Sequence, residues 1–123
     1  FPALARRFVQ QGAQWLVVFS NDAWFGDSMA PHQHLQIARM RSIETQRPML
    51  RATNTGVTAV IDHRGKVIAQ APQFEAAVLR ATVQPMQGGT PYARFGNTSL
   101  IAALMLLTVT ILVVVRKRAR TVD

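Results

Sequence analysis

Four apolar residues in a row, Leu16-Val17-Val18-Phe19, break off at Ser20-Asn21-Asp22. A short continuous apolar run is the pattern of a strand covered on both faces. The short polar side chains that follow bond to nearby backbone and favour a turn. Before this strand, Leu4, Phe8 and Val9 give an apolar face to a helix predicted over 1–11, with Pro2 in its first turn and Gly12 as its stop. After the turn, a helix is predicted over 31–45. Its apolar residues Leu35, Ile37, Ala38, Met40 and Ile43 fall on no single stripe, which predicts contacts from several sides. Pro48 closes that helix. A short strand over 49–52, a turn at Asn54-Thr55-Gly56 and an alternating strand over 57–62 follow. In the last of these Val57, Ala59 and Ile61 share one face. Asp62-His63-Arg64-Gly65 reads as a hairpin turn into a return strand over 66–70, and 77–83 reads as one more strand. The succession strand, helix, strand, hairpin predicts an α/β fold with a mixed sheet.

The pattern changes after residue 87. Gly and Pro punctuate 87–97, and Thr98 to Val115 then runs without a charge. Those residues as a helix cover roughly 27 Å, near the ~30 Å of a bilayer's hydrocarbon core. Arg116, Lys117, Arg118 and Arg120 follow at once, and such clusters mark the cytoplasmic end of a membrane span. The reading is therefore a soluble portion over 1–88, a juxtamembrane linker over 89–97, a transmembrane helix over 98–115 and a basic cytoplasmic tail over 116–123.

Charge and composition narrow the chemistry. The net charge of +8 is not one patch, because the ten basic residues outside the tail are scattered from Arg6 to Arg94. Without a basic stripe interleaved with aromatics, nucleic-acid binding is not the expectation. The chain has no cysteine, hence no disulfide and no thiol nucleophile of its own. His32 and His34 are two apart on a helix and point to opposite sides, so a shared metal is not expected. Ser20, Thr53 and Thr55 have no neighbouring base in sequence, and no carboxylate pair stands at catalytic spacing. Arg41 and Glu44 are spaced to pair along the helix, and Arg39 could reach a carboxylate elsewhere. The polar-aromatic stretch Asn21, Asp22, Trp24, Phe25 follows a strand end, where α/β sheets place ligands. Its aromatics either cap the core or line such a site.

Three stretches carry a resemblance: FSNDAWFG (19–26), PHQHLQIARMRSIE (31–44) and RPMLRATNTGVTAVID (47–62), joined by the ending TPYARFGN, apolar segment and RKRAR. Together they resemble the C-terminal part of the nitrilase-like domain of the bacterial apolipoprotein N-acyltransferase family, within the carbon–nitrogen hydrolase superfamily. The resemblance implies the C-terminal portion of a nitrilase-like α/β sandwich, followed by one transmembrane helix. It implies acyl transfer from a phospholipid donor to a diacylglyceryl-modified apolipoprotein through a thioester acyl-enzyme. It implies no cofactor, a monomer, and an inner-membrane enzyme with its soluble portion outside the cytoplasm. The family's Glu–Lys–Cys triad falls on residues expected before Phe1, so no catalytic residue carries over and a fragment inactive by itself is expected. What carries over is a pocket wall: Asn21, Asp22, Trp24 and Phe25, with Asn54 and Thr55 at the same rim, and an architectural role for Arg39, Arg41 and Glu44. A membrane-tethered amidase and a non-catalytic, tail-anchored interaction module are the alternatives.

Overall fold

The computed structural model describes residues 2–120, with side chains as far as Lys117. Phe1 and residues 121–123 of the expected tail lie outside it. Helix α1 (Pro2–Gln10) ends where Gly12 takes φ +97°, a conformation costly for any residue with a Cβ. Strand β1 (Leu16–Ser20) leads through a 3-10 turn (Ala23–Phe25) into α2 (Ala30–Thr45) and then β2 (Met49–Thr53). β1 and β2 are parallel and in register from Leu16 opposite Met49 to Ser20 opposite Thr53, so their carboxyl ends lie side by side. β3 (Ala59–Ile61) and β4 (Val67–Gln70) extend the sheet antiparallel, in the order β1-β2-β3-β4.

The hairpin forms where the sequence places it. Asp62 Oδ1 accepts from the backbone N–H of Arg64 at 2.9 Å and of Lys66 at 2.8 Å, and Gly65 adopts φ +78°. Of the strand expected over 57–62, Ala59–Ile61 forms; Val57, Ala59 and Ile61 are fully buried as expected, but Val60, which points the other way, is buried too. With Val9, Leu16, Leu35, Ala38, Met49 and Ala93 they form the core between the sheet and the helices.

Several expectations need correcting. The segment 77–83 forms no strand. Ala71 N–H bonds Thr58 C=O beside β3, and Met86 N–H bonds Gln14 C=O just before β1, so the chain between them leaves the β4 side for the far edge of the sheet. A segment making that crossing has no strand edge to follow. Helix α2 is buried along one stripe, Pro31, Leu35, Ala38, Ser42 and Thr45, whereas Ile37, Met40 and Ile43 are about half exposed. Two of the buried positions are small and polar, which hid the stripe from a count of apolar residues. Thr45 satisfies its hydroxyl on the Arg41 carbonyl at 2.6 Å. At β1 the sheet is covered on one face only among the described residues: Val17 is half exposed and Phe19 is 82% exposed on the other, whereas Val60 of β3 on that same face is buried.

The stretch read as a linker carries a short helix, α3 (Pro91–Phe95), capped by the Thr90 hydroxyl accepting from Ala93 N–H at 2.9 Å. Buried Ala93 packs it onto the core, and Gln10 Nε2 donates to the Ala93 carbonyl at 2.7 Å. Arg47 fastens the same stretch. Its guanidinium is buried and donates to the carbonyls of Ala13, Thr45, Gln46 and Gly88. Helix α4 (Thr98–Arg120) follows. Its Thr98–Lys117 portion is long and apolar enough to cross a membrane, and no part of it is buried against the other described residues.

Candidate active-site rim

The carboxyl ends of β1 and β2 form an open groove of about 440 Å³ lined by Phe19, Ser20, Asn21, Ala52, Thr53 and Asn54. Two adjacent parallel strands end here and their chains turn away, which leaves a crevice of the kind α/β sheets use for ligands. A bond from Asn54 N–H to the Ser20 carbonyl, 3.2 Å, ties the two lips. On the β1 side, Asn21 Oδ1 accepts from Ala23 N–H at 3.1 Å, an Asx turn that bends the chain away from the strand. On the β2 side, Thr58 Oγ1 meets both the N–H and the carbonyl of Thr53, at 3.1 and 3.3 Å, and shapes the turn that carries Asn54.

Behind the groove lies Asp22, 1% exposed. Its carboxylate accepts from Ser20 Oγ at 2.6 Å, from His34 Nδ1 at 3.1 Å and from Arg51 Nη2 at 2.7 Å. Arg51, buried as well, also donates through Nε to the Val57 carbonyl at 3.2 Å. Burial, the largest influence, pushes the Asp22 carboxyl's pKa upward. The hydrogen bonds from Ser20 and His34, with the nearby Arg51 charge, outweigh it and hold the pKa below the ordinary value. Gly56 completes the enclosure, since a Cβ there would stand 2.2 Å from Asp22 Oδ2. The Phe25 ring meets the His34 ring edge-on, with centroids 5.2 Å apart. Trp24, next to it, is 89% exposed.

The residues singled out from the sequence therefore separate. Asn21 and Asn54 come together in the groove. Asp22 does not line it but sits beneath the loop as a buried anchor. Trp24 and Phe25 do not cap the core; they project from the loop beyond the groove. Thr55 turns its hydroxyl inward, where it has no partner among the described residues. Arg41 and Glu44 pair at 2.9 Å as expected. Arg39 reaches the Gly65 carbonyl at 2.7 Å and Gln36 at 2.9 Å, so its partners are neutral oxygens and not a carboxylate. His32 is exposed while His34 turns to Asp22, in keeping with their opposite directions on the helix.

Sequence reasoning missed Ser20, His34, Arg51 and Gly56 as parts of this arrangement. One signal was present. Arg51 lies two residues from Met49 on a strand, on the same inward face, and a buried arginine requires a partner.

A mixed four-stranded sheet packed against helices fits the nitrilase-like α/β fold, and the sequence match agrees. Residues 1–92 match the carbon-nitrogen hydrolase family, and the chain belongs to it. Among its relatives, the apolipoprotein N-acyltransferase of Photobacterium profundum is 46% identical over 124 aligned residues, covering 100% of this chain and 24% of the relative. That of Nitrosomonas europaea is 58% identical over 77% of this chain and 19% of the relative. That of Methylococcus capsulatus is 61% identical over 68% of this chain and 16% of the relative. The chain thus spans a quarter or less of the length of these relatives.

Proposed function

We propose that this chain is the C-terminal part of an enzyme that moves a fatty acyl group from phospholipid to the α-amino group of a diacylglyceryl-modified lipoprotein cysteine. The observation that carries the reading is the extent of the similarity. The hydrolase family match stops at residue 92, whereas the match to the Photobacterium profundum acyltransferase covers the whole chain, α4 included. An apolar helix fused to this fold suits a reaction whose two substrates both reside in a bilayer.

In this reading α4 spans the inner membrane. Arg116 and Lys117, with Arg118 and Arg120 after them, face the cytoplasm, and the sheet lies outside it. The nucleophilic cysteine comes from the rest of the enzyme, because this chain holds no thiol, and the family resemblance implies the same for its Glu and Lys partners. The physical logic is covalent catalysis: an activated thiolate divides one acyl transfer into two easier steps. This chain supplies the rim. Asn21 and Asn54 present carboxamides at the strand ends, and Trp24 and Phe25 offer an apolar surface to an acyl chain or to a covering loop. The 123 residues alone carry out no transfer.

The test is acyl transfer by the purified enzyme containing this segment, with labelled phospholipid as donor and a diacylglyceryl lipopeptide as acceptor. Labelled, triply acylated product is the expected result. Release of ammonia from small amides with no transfer would replace the proposal by an amidase. Within an active enzyme, Trp24→Ala lowers transfer at least tenfold. A change within about twofold, less than ~0.5 kcal/mol of barrier, removes Trp24 from the site.

A further inference from the structure

We propose that Asp22 is a positioning residue, a buried carboxylate that holds both lips of the strand-end groove in the geometry acyl transfer requires. The inference rests on the functional reading above and assigns a role to a residue that touches no substrate. Loops seldom bury an acid, because an ionised carboxylate away from water is costly unless it is paired and hydrogen-bonded. Here the charge is fully engaged by three donors from three elements: Ser20 at the end of β1, His34 in α2 and Arg51 in β2.

That engagement reaches both sides of the groove. On one side Asp22 follows directly on Asn21 and precedes the turn carrying Trp24 and Phe25, and Phe25 rests on the same His34 that bonds Asp22. On the other side Arg51 spends its second donor on the Val57 carbonyl, at the far end of the Asn54–Val57 connection. One ion pair thereby fixes the loop that bears Asn21 and the turn that bears Asn54. Gly56 admits this arrangement by having no side chain. Its φ lies outside the left-handed region, so space, and not backbone conformation, makes a larger residue unwelcome there.

A pair that merely stabilised the fold would change how much enzyme survives and leave the survivors kinetically normal. A positioning role changes the survivors. The experiment measures KM for the phospholipid donor and kcat for transfer in the full enzyme with Asp22→Asn, with Gly56→Ala and with both, each scaled to the folded, monodisperse fraction. Asp22→Asn keeps the size but cannot accept from all three donors, and Gly56→Ala displaces the same carboxylate from outside. The expected result is a rise in donor KM of at least fivefold in either single variant, with the double variant no worse than the more affected single one. A wild-type KM in the folded fraction of Asp22→Asn overturns the inference while leaving the functional reading intact. Absence of transfer in the wild-type enzyme overturns the functional reading, and this inference with it. Should Asp22→Asn fail to fold, His34→Ala decides: it removes one bond to Asp22 from a half-exposed position, and an unchanged donor KM there overturns the inference equally.

Discussion

Replacing Arg47 by methionine removes a cation from the point where three segments meet, at little cost in volume. The guanidinium donates to Ala13 in the α1–β1 link at 2.7 Å, to Thr45 and Gln46 at the end of α2 at 3.3 and 3.2 Å, and to Gly88 ahead of α3. Among the described residues no carboxylate pairs with it, and burial draws its pKa below the ordinary value, although it stays cationic in any usable buffer. Two of these bonds are short, and bonds to a charged group contribute roughly 1.5–3 kcal/mol each, about 3–6 kcal/mol together. The carbonyls at the end of α2 also lose a cation that complements the helix dipole, worth about 0.3–1 kcal/mol. Against this, methionine escapes the several kcal/mol spent on desolvating the charge. The balance is a loss of about 2 kcal/mol. Arg47→Lys loses a similar amount, because one ammonium cannot reach Ala13 and Gly88 together. The assay is urea unfolding of the detergent-solubilised protein, paired with limited proteolysis at Gly88-Gly89. With a slope of about 1–2 kcal/mol per molar, the midpoint falls by roughly 1–2 M, and cleavage at the glycines accelerates. A midpoint within ~0.3 M of wild type and unchanged cleavage would refute the idea that Arg47 fastens the segment ahead of α4.

Two further outcomes follow from the same geometry. The Asp22 carboxyl has a folded-state pKa below its unfolded value, so its contribution is complete above about pH 4 and disappears as pH falls through the folded value. The urea midpoint should therefore drop in that acid window, and Asp22→Asn should make the drop shallower; an identical acid limb in both proteins contradicts the buried-pair account. At the hairpin, a Cβ on Gly65 would stand 2.6 Å from Ile43 Cγ1 and 3.1 Å from the Arg39 carbonyl, at φ +78°. Gly65→Ala should cost about 2–3 kcal/mol from crowding and left-handed strain, and a loss under ~0.5 kcal/mol would show that the turn relaxes freely.

The parts of this molecule that were legible in the sequence are those set by neighbours along the chain. β1 announces itself by its apolar run, the hairpin by Asp62 and Gly65, and the core side of β3 by Ala59 and Ile61, with Val57 just ahead of it. The groove was half legible, since Asn21 and Asn54 end strands whose parallel pairing the intervening helix foretells. What was not legible depends on distant partners. His34 and Arg51 lie 12 and 29 residues from Asp22, and nothing local says which acid an inward arginine will meet. The stripe of α2 was hidden because Ser42 and Thr45 occupy buried positions. The segment 77–83 has the composition of a strand, but its path across the sheet denies it an edge. The apolar run of β1 predicts cover on both faces, and the described residues supply one. Relatives four or more times longer have chain to spare for a second layer over Val17 and Phe19.

If the proposed function is right, these residues can serve inside a lipoprotein acyltransferase. A chimera answers this directly: residues 1–123 replace the matching segment of the Photobacterium profundum apolipoprotein N-acyltransferase, and the purified protein is assayed for acyl transfer from phospholipid to a diacylglyceryl lipopeptide. The expected result is transfer within about tenfold of the parent enzyme, with the donor KM raised at least fivefold on Asp22→Asn. A well-folded chimera that extracts and purifies like the parent but transfers no acyl group would contradict the proposed function.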